Sequence, residues 1–364
     1  MKKNLILLFF TIIFSIIFIE FTLSISGKYK NLTKNKLKPS DAIYERPSLS
    51  MQNNKHPDLN HIIVNTFDKD GVKNFNQTPT SQKKNIIGIF GDSMTENITV
   101  DPKFEFTSLI NKKLNNHTIV NYGIGGYSAD QSFIRYLKYK DHDLKHVFLF
   151  LLPGDEGFST KSTFSDNGEY KIHKTKLSIF YQIIGKLNLT YFVLDSFYNI
   201  RYLLKRDHAK IDAINYNSVL ANKINRRFYN KDLIHCHLTP NFCEKNLSNL
   251  LKIFKKEVEK NNAKFHILVF PEDNYISYLS KIIKDTGEDF NFYILDKKLN
   301  VVRTELTRTS KELIFINDAH WNEYGNLAFA NNLLNIFNKI GIKLDSLKLN
   351  ITTEDIDFFY NKNK

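Results

Sequence analysis

The chain has 364 residues, of which 42% are apolar and 24% charged, with a formal net charge of +13. These are ordinary globular proportions, and the length suffices for one large domain with a substantial core. The lysines are scattered among asparagines and isoleucines, without a basic helix or a run of interleaved aromatics. That pattern excludes a nucleic-acid partner and leaves weak attraction to anionic membranes or glycans.

Lys2 and Lys3 precede an apolar run from Leu5 to Ile19, broken only by Thr11 and Ser15. Its length matches a signal-peptide core, and with residues 21–25 it also suits an uncleaved anchor. Residues 1–26 are therefore expected to be a signal peptide or membrane anchor, making the protein exported or membrane-anchored, in the periplasm or at the cell surface. The lysines between Lys28 and Lys38 run against the positive-inside rule, but long domains translocate largely regardless of charge. Residues 27–84, rich in Lys, Asn and Pro, read as a polar stalk and lead-in.

From Ile86 a β/α alternation begins. Ile86–Phe90 is an apolar strand, and Phe104–Leu114 a helix with Phe106, Leu109, Ile110 and Leu114 on one face. Thr118–Asn121 is a second strand and Asp130–Lys140 a second helix. Val147–Leu152 is a continuous apolar run, as in a strand buried on both faces. The rhythm then breaks over 157–243, an expected insertion rich in aromatics such as Phe158, Phe164, Tyr170 and Phe192. It resumes with a helix at Leu247–Lys260, a strand at Phe265–Phe270, a helix at Tyr275–Lys284, strands at Phe292–Leu295 and Leu313–Ile316, and a helix at Tyr324–Ile340. One domain over 85–345 and a C-terminal tail over 346–364 are expected. Cys236 and Cys243 suit a local disulfide in an oxidising compartment. With His235 and His237 they also look like a metal cluster, but the spacing fits no zinc pattern, and no metal is expected.

Strands alternating with helices imply a parallel sheet covered on both faces, with ligands beyond the carboxyl ends of the strands. Those ends carry Gly91-Asp92-Ser93, then Asn121 to Gly126, then Pro153-Gly154-Asp155-Glu156, and last Asp318-Ala319-His320-Trp321-Asn322. Each is weak alone, since a lone Gly-Asp-Ser is more often a turn or a helix cap. Together they supply what acyl chemistry needs. Ser93 is a nucleophile if a base takes its proton, and His320 is that base. Asp318 would fix its tautomer. The Ser93 and Gly126 N–H groups would hold an oxyanion.

In these blocks the chain resembles the SGNH/GDSL hydrolase superfamily. Gly91-Asp92-Ser93 matches its first block, Asn121 to Gly126 its second, and "DAHWNEYGN" (Asp318–Asn326) the D-x-H-W-N form of its last block, as in the polysaccharide O-acetylation branch. The upstream "IIVNTFDKDGVKNF" resembles the lead-in strand of exported members. The resemblance covers residues 62–150 and 262–341. It implies a flavodoxin-like three-layer αβα sandwich with a mostly parallel sheet and a helical, aromatic insertion. It also implies ester hydrolysis or acyl transfer without a cofactor. One block departs: "LLPGDEG" puts Asp155 where the family has a third oxyanion donor, an asparagine. An ionised carboxylate has nothing to donate. The expectation is a serine esterase or acyltransferase acting on an acylated carbohydrate or lipid ester, most simply an acetyl ester of an extracytoplasmic glycan, held to the membrane by its N-terminal segment. The alternative is a non-catalytic glycan-binding or assembly protein on the same fold.

Overall fold

The computed structural model describes residues 2–26, 51–74, 79–155, 162–172, 240–299, 320–347 and 351–363, with residues 43, 45, 46, 49, 192, 193, 313–315, 318 and 349 between them. Two compact units are present: Met1–Tyr44 with Lys174–Tyr229, and Glu45–His173 with Asn230–Lys364.

In the first unit, Lys2–Ser26 is a single helix, α1. Its side chains from Phe10 onward are largely exposed, with Phe14 at 70% and Ile25 at 71%. Its hydroxyls turn inward: Ser15 Oγ donates to the Thr11 carbonyl and Thr22 Oγ1 to that of Phe18, each at 2.9 Å. Among the described residues no helix is long and apolar enough to cross a membrane.

The second unit is α/β. Strands β1 (Met51–Lys55) and β2 (Ile62–Thr66) form an antiparallel hairpin. The central sheet contains β3 (Ile86–Phe90), β4 (Thr118–Asn121), β5 (Leu144–Leu151), β8 (Lys264–Val269) and β9 (Asn291–Ile294), in the order β4-β3-β5-β8-β9. All four pairings are parallel. Counted along the sheet this is the 2-1-3-4-5 order of flavodoxin-like folds, which reverses between β3 and β5. Two short strands, β6 (Thr163–Phe164) and β7 (Tyr170–Lys171), form a separate hairpin.

Strand alternation sends each side chain to one of two cores. Ile87, Ile89, Phe148, Phe150 and Leu268 face the layer of α3 (Phe106–Asn111), α7 (Glu323–Lys339) and α8 (Thr353–Asn363). Phe90, Val147, Leu149, Ile267 and Val269 face the layer of α4 (Ala129–Tyr139), α5 (Pro240–Lys260) and α6 (Asp273–Thr286). The domain is thus a three-layer αβα sandwich. Gly88 lies where a Cβ would come 2.9 Å from Leu144 Cδ2 and 3.0 Å from Phe90 Cε2, so a side chain there would push on the packing of the second layer.

Four segments differ from expectation. Residues 51–74 of the predicted stalk are folded: the buried Asp68 carboxylate gathers the N–H groups of Asp70, Val72 and Thr80 and the Asn74 side chain. The predicted tail carries α8, which buries Ile356 and Phe359 in the core. The predicted strand Leu313–Ile316 does not join the parallel sheet among the described residues. Instead Phe315 N–H donates to the His320 carbonyl and Asn322 N–H to that of Leu313, each at 3.0 Å, making an antiparallel loop. The helix expected at Phe104–Leu114 is confined to α3, because Leu114 bridges Leu344 instead.

The expected insertion 157–243 lies largely outside the described residues. In its described part Phe164 and Tyr170 pack edge-on against Phe133 of α4, with ring centroids 5.7 and 5.2 Å apart. Cys243 is buried and disulfide-bonded, and Cys236 is the chain's other cysteine.

Candidate active site

Four loops lie at the carboxyl edge of the sheet. The first follows β3. Gly91 has no room for a side chain: a Cβ would come 2.3 Å from Thr95 Oγ1 and 3.2 Å from the Phe150 carbonyl. The chain then turns into a one-turn helix, α2 (Ser93–Glu96), capped by Asp92, whose Oδ1 accepts the Met94 N–H at 2.9 Å. The half-buried Ser93 donates its hydroxyl to Asp92 Oδ2 at 3.4 Å. Burial pushes the Asp92 carboxyl up, opposed by the Met94 N–H and the charge of His320.

The second loop, after β4, is laced to the first. Asn121 Nδ2 donates to the Thr95 carbonyl at 2.6 Å and to Glu105 Oε1 at 2.8 Å, and its Oδ1 accepts the Gly123 N–H at 2.9 Å. Ile124 N–H reaches the Gly91 carbonyl at 3.1 Å. A Cβ on Gly123 would collide with Thr95, and one on Gly125 would lie 3.4 Å from Ser93 Cβ. The glycines therefore let this backbone lie against α2. Gly126 is exposed with φ +82°, and its N–H has no hydrogen-bond partner among the described residues.

The third loop, after β5, holds Asp155. Its Oδ2 accepts the Leu152 N–H at 3.0 Å, and its carbonyl accepts the first N–H of α4, from Ala129, at 2.9 Å. In this arrangement Asp155 closes its own turn and caps a helix; the oxygen so engaged is an acceptor.

The fourth loop runs from Leu313 to Asn322. His320 Nδ1 lies 2.5 Å from Asp318 Oδ1, with the two side chains 29% and 27% exposed. Burial presses the imidazole down, but the Asp318 hydrogen bond and charge, helped by the charges of Asp92 and Glu96, raise it on balance. A carboxylate on Nδ1 fixes the tautomer with Nε2 as the free base. Trp321, fully buried, stacks on Phe150 at 5.8 Å and donates Nε1–H to the Leu299 carbonyl at 3.4 Å. Asn322 caps α7, accepting the N–H groups of Tyr324 and Gly325. Within D-x-H-W-N, then, Asp318 orients, His320 can accept a proton, Trp321 anchors the loop and Asn322 starts the helix that follows.

The structure ties Gly125 to α2 through its N–H bond to Glu96, joins Asp318 to His320, and puts His320 within electrostatic reach of the Ser93 turn through Asp92. Among the described residues Ser93 and His320 are not hydrogen-bonded to each other. Sequence reasoning missed Arg46, Lys73, Glu96 and Glu105, all buried beneath the site. Arg46 Nε donates to Glu96 Oε1 at 2.6 Å, and Lys73 Nζ donates to the Glu96 and Asn97 carbonyls at 3.1 and 2.7 Å. The signal for Glu96 was "SMTE", which scans as a capping box on Ser93. The cap is Asp92 instead, which frees the Glu96 carboxylate for other partners.

His235 and His237 lie outside the described residues, and among those described no group of three His, Cys, Asp or Glu side chains can hold a metal ion. No protein-family model matches the chain, and no curated protein matches it.

Proposed function

We propose that this chain is a serine esterase or acyltransferase of the SGNH/GDSL type, acting on an O-acyl ester, most simply acetyl, of an extracytoplasmic glycan or envelope molecule. The observation that carries the reading is the Asp318–His320 hydrogen bond at 2.5 Å, on a loop whose imidazole senses the charge of Asp92, the residue next to Ser93. Its location agrees with the rule that ligands bind where the order of a parallel sheet reverses, here between β3 and β5.

The chemistry follows from roles. His320 Nε2 takes the Ser93 hydroxyl proton as Oγ bonds to the ester carbonyl carbon. The negative oxygen of the tetrahedral intermediate takes hydrogen bonds from the Gly126 and Ser93 N–H groups. The C–O bond to the alcohol then breaks, and the leaving alkoxide receives the proton from His320. Water, or an acceptor hydroxyl, attacks the acyl-enzyme by the reverse route and restores Ser93. Catalytic hydrogen bonds are often loose before substrate binds, so rotation of Ser93 Oγ from Asp92 to His320 belongs to the Michaelis complex. Export accords with the disulfide on Cys243, since disulfides persist in oxidising compartments.

A second reading, a glycan-binding protein on the same fold, is favoured by one observation: Asp155 presents an acceptor where the family has a donor. A fluorophosphonate probe separates the two. The enzyme gains a covalent adduct that Ser93→Ala abolishes, together with all turnover of p-nitrophenyl acetate and with folding unchanged. A folded protein that never labels is the binder, and full turnover in Ser93→Ala removes the serine assignment. Mass spectrometry of surface glycans with and without the protein, read for a shift of one acyl unit, identifies the acceptor.

A further inference from the structure

We infer that Glu96, held by Arg46, is a positioning residue that sets the Gly125-Gly126 backbone over Ser93. The inference rests on the esterase or acyltransferase reading above. Glu96 is 1% exposed and Arg46 8%, so both charges are withdrawn from water. The carboxylate is used on both sides: Oε1 accepts Arg46 Nε at 2.6 Å, and Oε2 accepts the Gly125 N–H at 2.7 Å. Glu96 is the last residue of α2, whose first is Ser93. One side chain thus ties the nucleophile's helix to the loop carrying the unpartnered Gly126 N–H.

A buried ion pair is a poor device for stability alone, because desolvation offsets most of the attraction. Here it holds an acceptor rigidly under a glycine loop with few side chains to lock it. Preorganised donors contribute to catalysis only when they are already aimed. Burial presses the Glu96 carboxyl up, and the Arg46 charge and hydrogen bonds outweigh it, so the carboxylate stays ionised. That charge also reaches His320, which among the described residues is faced by Asp318 from its own loop, Asp92 from the β3–α2 turn and Glu96 from α2.

Two readouts follow. Glu96→Ala removes the Gly125 acceptor and is expected to lower kcat by about 10²-fold with KM nearly unchanged, as for misplaced reacting groups. Glu96→Gln keeps an acceptor without the charge. It is expected to restore most of kcat and to move the acid limb of the pH profile to lower pH, because His320 loses a charge that favours its protonated form. Where either variant does not fold, the double variant Arg46→Met with Glu96→Gln removes the buried pair together and is read for the same pH shift. A folded Glu96→Ala with wild-type kcat, or a neutral variant with an unmoved acid limb, overturns the inference. The parent reading is judged apart from it, by wild-type turnover and its loss in Ser93→Ala. Absence of wild-type turnover ends both.

Discussion

Within the candidate site, charge decides how His320 titrates. Asp318 and, further off, Asp92 and Glu96 raise its pKa above the ordinary imidazole value despite burial. In the proposed mechanism the base must be neutral to accept the Ser93 proton, so activity is expected to fall as pH drops below a midpoint above about 6.5. Asp318→Asn should move that midpoint to lower pH and cut the plateau rate by about 10⁴-fold, the scale seen when a triad carboxylate becomes an amide. A pH–rate profile with both parameters unmoved would remove Asp318 from the mechanism. The turns that carry Ser93 and Gly126 were legible because each follows an apolar strand, and the Asp318–His320 pair because the two stand two residues apart. Arg46, Lys73 and Glu105 were not, because burial of a charge depends on partners distant in the chain: Arg46 and Glu96 are 50 residues apart. Asp155 was legible as a position but not as an orientation, which is set by the Leu152 N–H of its own turn.

At the scale of elements, the loop from Leu313 to Asn322 is the decisive piece. Periodicity reads its first limb as a sheet strand, since Leu313–Ile316 is apolar and short. The pairing that forms is instead with its own second limb, through Ile314 and Trp321. An apolar tetrapeptide does not reveal its pairing partner, whereas "VFLFLL" is long enough to demand burial on both faces. Trp321 is the weight that seats the loop. Trp321→Ala should cost about 3–5 kcal/mol of stability. It should also lower kcat at temperatures where the variant remains folded, as read by denaturant midpoint and by turnover. Loss of stability with turnover intact would mean that Asp318 and His320 are held by other contacts. The C-terminal helix was illegible for a related reason. Ile356, Phe359 and Tyr360 make only a short apolar stripe, and Tyr360 is fixed by donating its hydroxyl to the buried Glu323 carboxylate, which is also 3.2 Å from His56.

At the scale of the whole molecule, the alternation of strands and helices was sufficient for the class and the strand order was not readable, because parallel neighbours leave no local mark. The sheet also encloses a second set of histidines. His146 of β5 and His266 of β8 share a 3.0 Å contact and stack with centroids 5.2 Å apart. Burial depresses both pKa values, helped by the charges of His117 and Lys264 at His146 and of His146 and Lys264 at His266. Folded, the pair stays neutral where the unfolded chain would be protonated. Stability present above about 6.5 is therefore lost as pH falls below it. Thermal melts from about pH 7.5 to 5, a range that brackets the ordinary imidazole value, should show that decline, and the double variant His146→Leu with His266→Leu should flatten it. A slope unchanged in the double variant would assign the acid sensitivity elsewhere, to His117 or His142, which burial also depresses.

The two imidazoles stand near the amino-terminal ends of their strands, while the Ser93 turn stands beyond the opposite ends. His146 is level with Ile87, three residues or roughly 10 Å below the end of β3, and the charges that move His320 are those of Asp318, Asp92 and Glu96. The acid tolerance of the fold and the acid limb of the proposed activity are therefore expected to vary separately, so that replacing the floor of the sheet leaves the titration of its upper rim where it was.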